Sequence, residues 1–98
     1  MSDAFSERVF CVAHALGLHA RPAGRFVSLA SRFQAQVEVA REGDADGEWV
    51  SGRSVLSLLS LAATHGTLLR LRATGPDAEQ ALAQLGQVLE EPAAEEGG

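Results

Sequence analysis

Arg8-Val9-Phe10-Cys11-Val12-Ala13 and, after a short break, Gly17-Leu18-His19-Ala20-Arg21-Pro22-Ala23 form the stretch whose reading decides the fold. The first six residues are apolar and β-prone, and they predict a strand over 8–13. Gly17 interrupts that pattern. From Pro22 onward, Phe26, Leu29, Ala30 and Phe33 recur at i, i+3, i+4 and i+7, the spacing of one helical face. Proline suits a first helical turn because its missing N–H has no intrahelical partner there in any case, so the helix is expected to start near Ala20 or Arg21.

Working outward, Gln34 to Arg41 alternates with Val37 and Val39 on one face. The polar Gly43 to Glu48 stretch then turns the chain into a strand around Trp49 and Val50, a hairpin with a long loop. Ser54 to Ala63 predicts a second helix stopped by Gly66. Thr67 to Thr74 alternates again, setting Leu69, Leu71 and Ala73 against Leu68, Arg70 and Arg72, as in a strand with one face in the core. Asp77 with Gln80 reads as a capping box opening a third helix, whose buried stripe is Ala78, Ala81, Leu82, Leu85, Val88 and Leu89. Pro92 closes it. Residues 1–91 then form a single domain and 92–98 a flexible acidic tail. The expected class is α+β, an open-faced β-sandwich: a four-stranded antiparallel sheet covered on one face by three helices, in the order β-α-β-β-α-β-α.

With 98 residues, 46% of them hydrophobic and 21% charged, the chain has room for one small core and lies outside the disordered regime. All eight basic residues are Arg, and the net charge of −5 argues against nucleic acid as the partner. The charge is segregated: residues 8–37 and 49–76 carry no acid and hold Arg8, Arg21, Arg25, Arg32, Arg53, Arg70 and Arg72, while 38–48 and 77–98 are acidic. If the two basic segments meet in space they make a positive patch suited to phosphate or an acidic partner. Cys11 is alone, which fits a reducing compartment, and the N-terminal residues lack a signal-peptide pattern, so a cytoplasmic monomer without membrane insertion is expected.

The chemistry concentrates at Gly17–Ala23. Glycine lets the backbone turn sharply, and the helix that follows leaves its first N–H groups without intrahelical acceptors. Those amides and the positive end of the helix dipole favour an anion, and the guanidinium of Arg21 matches phosphate oxygens. An imidazole is partly neutral near pH 7 and is then a nucleophile, so His19 is the candidate acceptor for a phosphoryl group. His14 and His65 have no metal-ligand spacing and read as surface bystanders; Asp44 and Asp46 fail the full calcium-loop pattern. No metal or other cofactor is expected.

Gly17-Leu18-His19-Ala20-Arg21-Pro22-Ala23 closely resembles the active-site motif of the HPr family, the histidine phosphocarriers of the phosphoenolpyruvate phosphotransferase system. Ser51-Gly52-Arg53-Ser54-Val55-Leu56-Ser57-Leu58-Leu59-Ser60-Leu61 is similar to the family's regulatory-serine segment, and His65-Gly66-Thr67 with Ala73-Thr74-Gly75-Pro76 to its last strand and turn. The resemblance runs from about Arg8 to Glu91. It implies that His19 takes phosphate on Nδ1 from phospho-enzyme I and passes it to a histidine of an enzyme II A domain. Arg21 would neutralise the group in transit, with the amides of Ala20 and Arg21 binding its oxygens.

The resemblance further implies phosphorylation of Ser54 by HPr kinase/phosphorylase, at a residue whose own physical chemistry is that of a helix N-cap. It also implies a partner-docking surface at Ala20, Arg25, Arg53, Val55, Leu56 and Leu59. The residues of the second helix agree: Val55, Leu56, Leu58, Leu59, Leu61 and Ala62 spread over roughly 220° of the wheel, more than one buried stripe needs. Ser28 and Ser31 stand where HPr proteins often carry Lys, and Ser54-Val55 with Ala73–Pro76 resembles NPr of the nitrogen-related branch. The alternative reading is therefore a non-catalytic, NPr-like regulatory module that acts by docking partners.

Overall fold

Alternation along Leu68–Thr74 puts Leu69, Leu71 and Ala73 on one face, and all three are fully buried. That segment lies inside the sheet. The computed structural model describes residues 5–43 and 47–91, arranged as β1 (Phe5–Cys11), α1 (Ala20–Ala30), β2 (Gln36–Arg41), β3 (Val50–Ser51), α2 (Val55–Ser60), β4 (Leu68–Thr74) and α3 (Ala78–Glu90). The strands form one antiparallel sheet in the order β1-β4-β2-β3. This is the open-faced α+β sandwich that the pattern of the sequence predicts.

The helices bury one face of the sheet under Phe26 of α1, Leu58 of α2, and Leu82, Leu85 and Leu89 of α3. Each such side chain contributes roughly 1.5–3 kcal/mol by leaving water. The α3 stripe is buried as its spacing predicts, with Gly86 added, because a Cβ there would collide with the ring of Phe10. On α1, Phe26 and Ala30 are buried and Leu29 is partly so, while Phe33, also partly buried, lies beyond the end of the helix.

Several boundaries differ from the sequence-based expectation for physical reasons. The first strand occupies Phe5–Cys11 rather than 8–13, because Val12 and Ala13 turn away to donate to Thr67 O and Leu89 O, each at 2.9 Å. The second helix stops at Ser60, short of the expected Ala63. Ala62 takes a left-handed φ of 52°, and Arg41 Nη1 donates to the carbonyls of Leu61 and Ala62 at 3.0 and 3.3 Å. Gly66 belongs instead to the turn that feeds β4, where Thr67 N–H donates to Thr64 O at 3.0 Å. His14, expected at the surface, is fully buried and donates from Nε2 to Val88 O at 2.8 Å; His65 is exposed. Pro92, the acidic tail 92–98, and Asp44 and Asp46 lie outside the described residues.

Arg70 and Arg72 do not join the arginines of α1 in one patch. Arg70 and Arg72 project from the open face of the sheet, where Glu42 and Glu7 meet Arg70 at 2.6 and 3.3 Å and Glu38 meets Arg72 at 2.8 Å. Trp49 lies 3.9 Å from the Arg72 guanidinium and covers it. The basic surface near the helices is that of α1, with Arg53 at the corner before α2.

Asp77 is the N-cap residue of α3, but its side chain makes no capping bond and the expected capping box is not formed. Its carboxylate instead accepts from Gln34 N–H at 2.9 Å and Ala35 N–H at 2.8 Å, pinning the entry of β2 to the start of α3. These bonds, Gln34 first, hold its pKa below the ordinary 3.8. A carboxyl more acidic in the folded than in the unfolded chain stabilises above its unfolded pKa, and that contribution disappears as pH falls through the folded value. Urea denaturation followed from pH 6 downward should therefore show Asp77→Asn less stable than wild type at pH 6, with the gap closing below pH 3.8.

Candidate functional site

The site is built on a turn that only glycine can make. Gly17 has φ of +77°, and a Cβ on it would lie 2.5 Å from the carbonyl oxygen of Ala63 and 2.9 Å from Thr64 Cα. The turn is tied at both ends: Gly17 N–H donates to His14 O and Leu18 N–H to Ala63 O, each at 2.9 Å. Leu18 is buried, which anchors the next residue. His19 is the N-cap of α1, with extended φ and ψ of −90° and −170°. Its carbonyl accepts the first helical bond from Ala23 N–H at 3.0 Å, while its side chain makes no cap bond. The residue is half-buried, and its Nε2 is the shielded edge of the ring.

The residue leads directly into the opening of the helix. Ala20 and Arg21 occupy positions whose amides have no intrahelical acceptor, Pro22 carries no N–H, and no acidic side chain lies in the first turn. That end of α1 therefore presents donors and positive potential without an opposing carboxylate on its own turn. A groove of about 670 Å³ runs along the helix from there, lined by Ala20, Arg21, Gly24, Arg25, Ser28, Leu29, Arg32 and Val88. Arg25 shares its charge with Glu91 of the α3 terminus at 2.8 Å. Chemically, the arrangement suits a dianion at the helix mouth and an acidic surface along the groove.

The remaining candidates sit on and around α2, which packs against α1. Ser54 is its N-cap, with Oγ accepting from Ser57 N–H at 3.1 Å. Leu58 and Leu61 are buried, Val55 and Leu59 are partly buried, and Leu56 is 79% exposed, so α2 is not fully packed. Arg53 turns back on the chain, donating from Nη2 to Phe33 O at 2.7 Å and Ala35 O at 3.2 Å. The structure thus joins Ala20, Arg21 and Arg25 in one groove and spends the Arg53 side chain on holding the corner before α2.

Sequence reasoning missed Leu16, which is 75% exposed on the turn just before Gly17. No periodicity runs through that turn, so nothing in the pattern marked it. Among the described residues no group of three His, Cys, Asp or Glu side chains is placed to hold a metal ion. No helix among them is long and apolar enough to cross a membrane.

Comparison with known proteins bears on this geometry. The family model for the PTS HPr component phosphorylation site matches residues 6–91. Phosphocarrier protein HPr of Haloferax volcanii is 40% identical over 90 residues, covering 92% of this chain and 99% of that protein. The multiphosphoryl transfer protein of Haemophilus influenzae is 37% identical over 84 residues, which is 86% of this chain and only 17% of that protein's length. The crystal structure of HPr from Bacillus anthracis superposes with a TM-score of 0.79 at 34% identity, covering 88% of this chain and 98% of that one.

Gly17→Ala must adopt a left-handed φ and displace Ala63, so it should lose more than about 1 kcal/mol in urea denaturation. The same variant should shift the NMR signals of the His19 ring, and unchanged stability together with unchanged ring signals would refute the tight-turn account.

Proposed function

The chain belongs to the HPr family of the phosphoenolpyruvate phosphotransferase system, and from that premise we propose that His19 is the residue on which it carries the phosphoryl group. The observation that carries the reading is the position of His19 at the N-cap of α1, half-exposed, before the amides of Ala20 and Arg21. Nε2 is the shielded ring nitrogen, which supports Nδ1 as the acceptor.

In the step so assigned, the Nδ1 lone pair of His19 attacks phosphorus on the phosphohistidine of enzyme I. The N–P bond of the donor breaks, and its electron pair returns to the donor imidazole. The reverse sequence delivers the group to a histidine of an enzyme II A domain. Because the two histidines have similar transfer potential, the protein contributes position and charge rather than driving force. The amides of Ala20 and Arg21 would bind the equatorial oxygens, and the Arg21 guanidinium would offset charge as the group moves. The protein acts as a stoichiometric carrier and not as a turnover enzyme.

Docking is assigned to the surface around this point: Ala20, Arg25, Val55, Leu56 and Leu59, with Arg53 at the margin. The exposure of Leu56 and the arginines of the groove support an acidic partner with an apolar centre. Ser54 is assigned as a regulatory phosphorylation site for a kinase of the HPr kinase/phosphorylase type. Its Oγ already stands at the N-terminus of α2 within reach of Ser57 N–H, where a phosphate is stabilised too, and a dianion there would repel an acidic partner.

Incubation with phosphoenolpyruvate and the host's enzyme I should add one acid-labile phosphate by mass spectrometry. His19→Ala should abolish the gain, and Arg21→Ala should slow it on the order of 100-fold. A wild-type chain that takes no phosphate from a competent enzyme I would instead mark a module that acts by docking alone.

Removing the Ser54 hydroxyl tests its cap separately from its regulation. Ser54→Ala should lower stability by about 0.5–2 kcal/mol in urea. It should also abolish acid-stable phosphate after treatment with the host kinase, and wild type without such phosphate would remove the regulatory assignment.

A further inference from the structure

His14 precedes His19 on the turn and has no part in the transfer step, yet among the described residues it is the polar or charged side chain that is wholly buried. Its Nε2 stands 2.8 Å from the carbonyl oxygen of Val88, in the last turn of α3. A carbonyl only accepts, so Nε2 carries the proton and donates it. Helices leave the carbonyls of their last turn without intrahelical donors. In α3 the segment after β1 supplies them: the His14 ring takes Val88 O, and Ala13 N–H takes Leu89 O at 2.9 Å. Cys11 N–H reaches the Glu90 carboxylate at 3.2 Å. The end of one helix thereby fixes the start of the turn.

From His14 the connection continues through the backbone to the reacting residue. The His14 carbonyl accepts from Gly17 N–H at 2.9 Å, and the Gly17 carbonyl accepts from His19 N–H at 3.0 Å. Between these points Ala15 and Leu16 are exposed and add no buried anchor. The turn is therefore held upstream by His14 on α3 and downstream by Leu18 N–H on Ala63 O.

We propose that His14 is a positioning residue for phosphoryl transfer: its bond to the α3 terminus holds the Gly17 turn so that the His19 imidazole stands in register with the first-turn amides of α1. The inference rests on His19 being the phosphoryl acceptor. Misplacing a reacting group by about 1 Å can cost on the order of 100-fold in rate, so one anchoring bond has leverage on chemistry that never touches it.

The test compares His14→Gln, whose side-chain amide can donate to Val88 O, with His14→Leu, which fills the space without a donor. Enzyme I kinetics with each chain as acceptor should show kcat for His14→Leu lower by about 10- to 100-fold, KM within about twofold, and His14→Gln recovered to within about threefold of wild type. Amide hydrogen exchange at Gly17 and His19 should accelerate in His14→Leu while Leu71 in β4 keeps its protection. If His14→Leu does not fold, His14→Asn, too short to reach Val88, takes its place with the same expectations.

Equal kcat in the donor-less variant, no recovery with Gln, or exchange that speeds uniformly through the core would overturn the proposal and leave His14 as a packing residue. A wild-type chain that takes no phosphate would sink the reading of His19 itself, a result distinct from a phosphorylated wild type matched by His14→Leu.

Discussion

The contact between Gly17 and the Ala63–Thr64 backbone is the constraint on which the rest of the site depends. With no side chain, Gly17 lets the connection from β1 pass against the segment following α2 closely enough for Leu18 N–H to bond Ala63 O. Once that bond and the burial of Leu18 are fixed, His19 falls at the N-cap of α1, at the end of the helix where the dipole is positive and the early amides lack intrahelical acceptors. The helix is held in turn by Phe26 and Ala30 in the core, so the His19 side chain is carried at the start of a rigid element although it sits at a loop end.

The ends of the helices are satisfied by residues distant in sequence, and this is how the small fold gains rigidity around its site. The last turn of α3 receives donors from the segment after β1, the end of α2 receives Arg41, and the entry of β2 is held by Asp77. Each bond joins neighbouring elements where unsatisfied backbone groups would otherwise be costly. The arrangement explains how α2 holds together with so few residues: its N-terminus has Ser54, its C-terminus has a guanidinium, and Leu58 is buried beneath it.

Charge is partitioned by face. Arg70 and Arg72 are neutralised on the open sheet by Glu7, Glu38 and Glu42, pairs that are partly exposed and individually worth little. Arg21, Arg25 and Arg32 stay along the α1 groove, with Arg25 shared with Glu91. An acidic chain thereby keeps arginines along one helix, and the separation follows from strand alternation on one side and helical spacing on the other.

The element order, the buried faces of β4 and α3, the start of α1 and the Gly-His-Arg-Pro motif were all legible in the sequence. Each rests on local physics: a period of two, a period near 3.6, the fit of proline to a first helical turn, and the need for glycine at a sharp bend. The fates of His14, Asp77, Arg53 and Arg41, and the early stop of α2, were decided only by tertiary structure. Each of those side chains answers a backbone donor or acceptor far along the chain, and no periodicity records which distant carbonyl or amide the folded chain brings within reach.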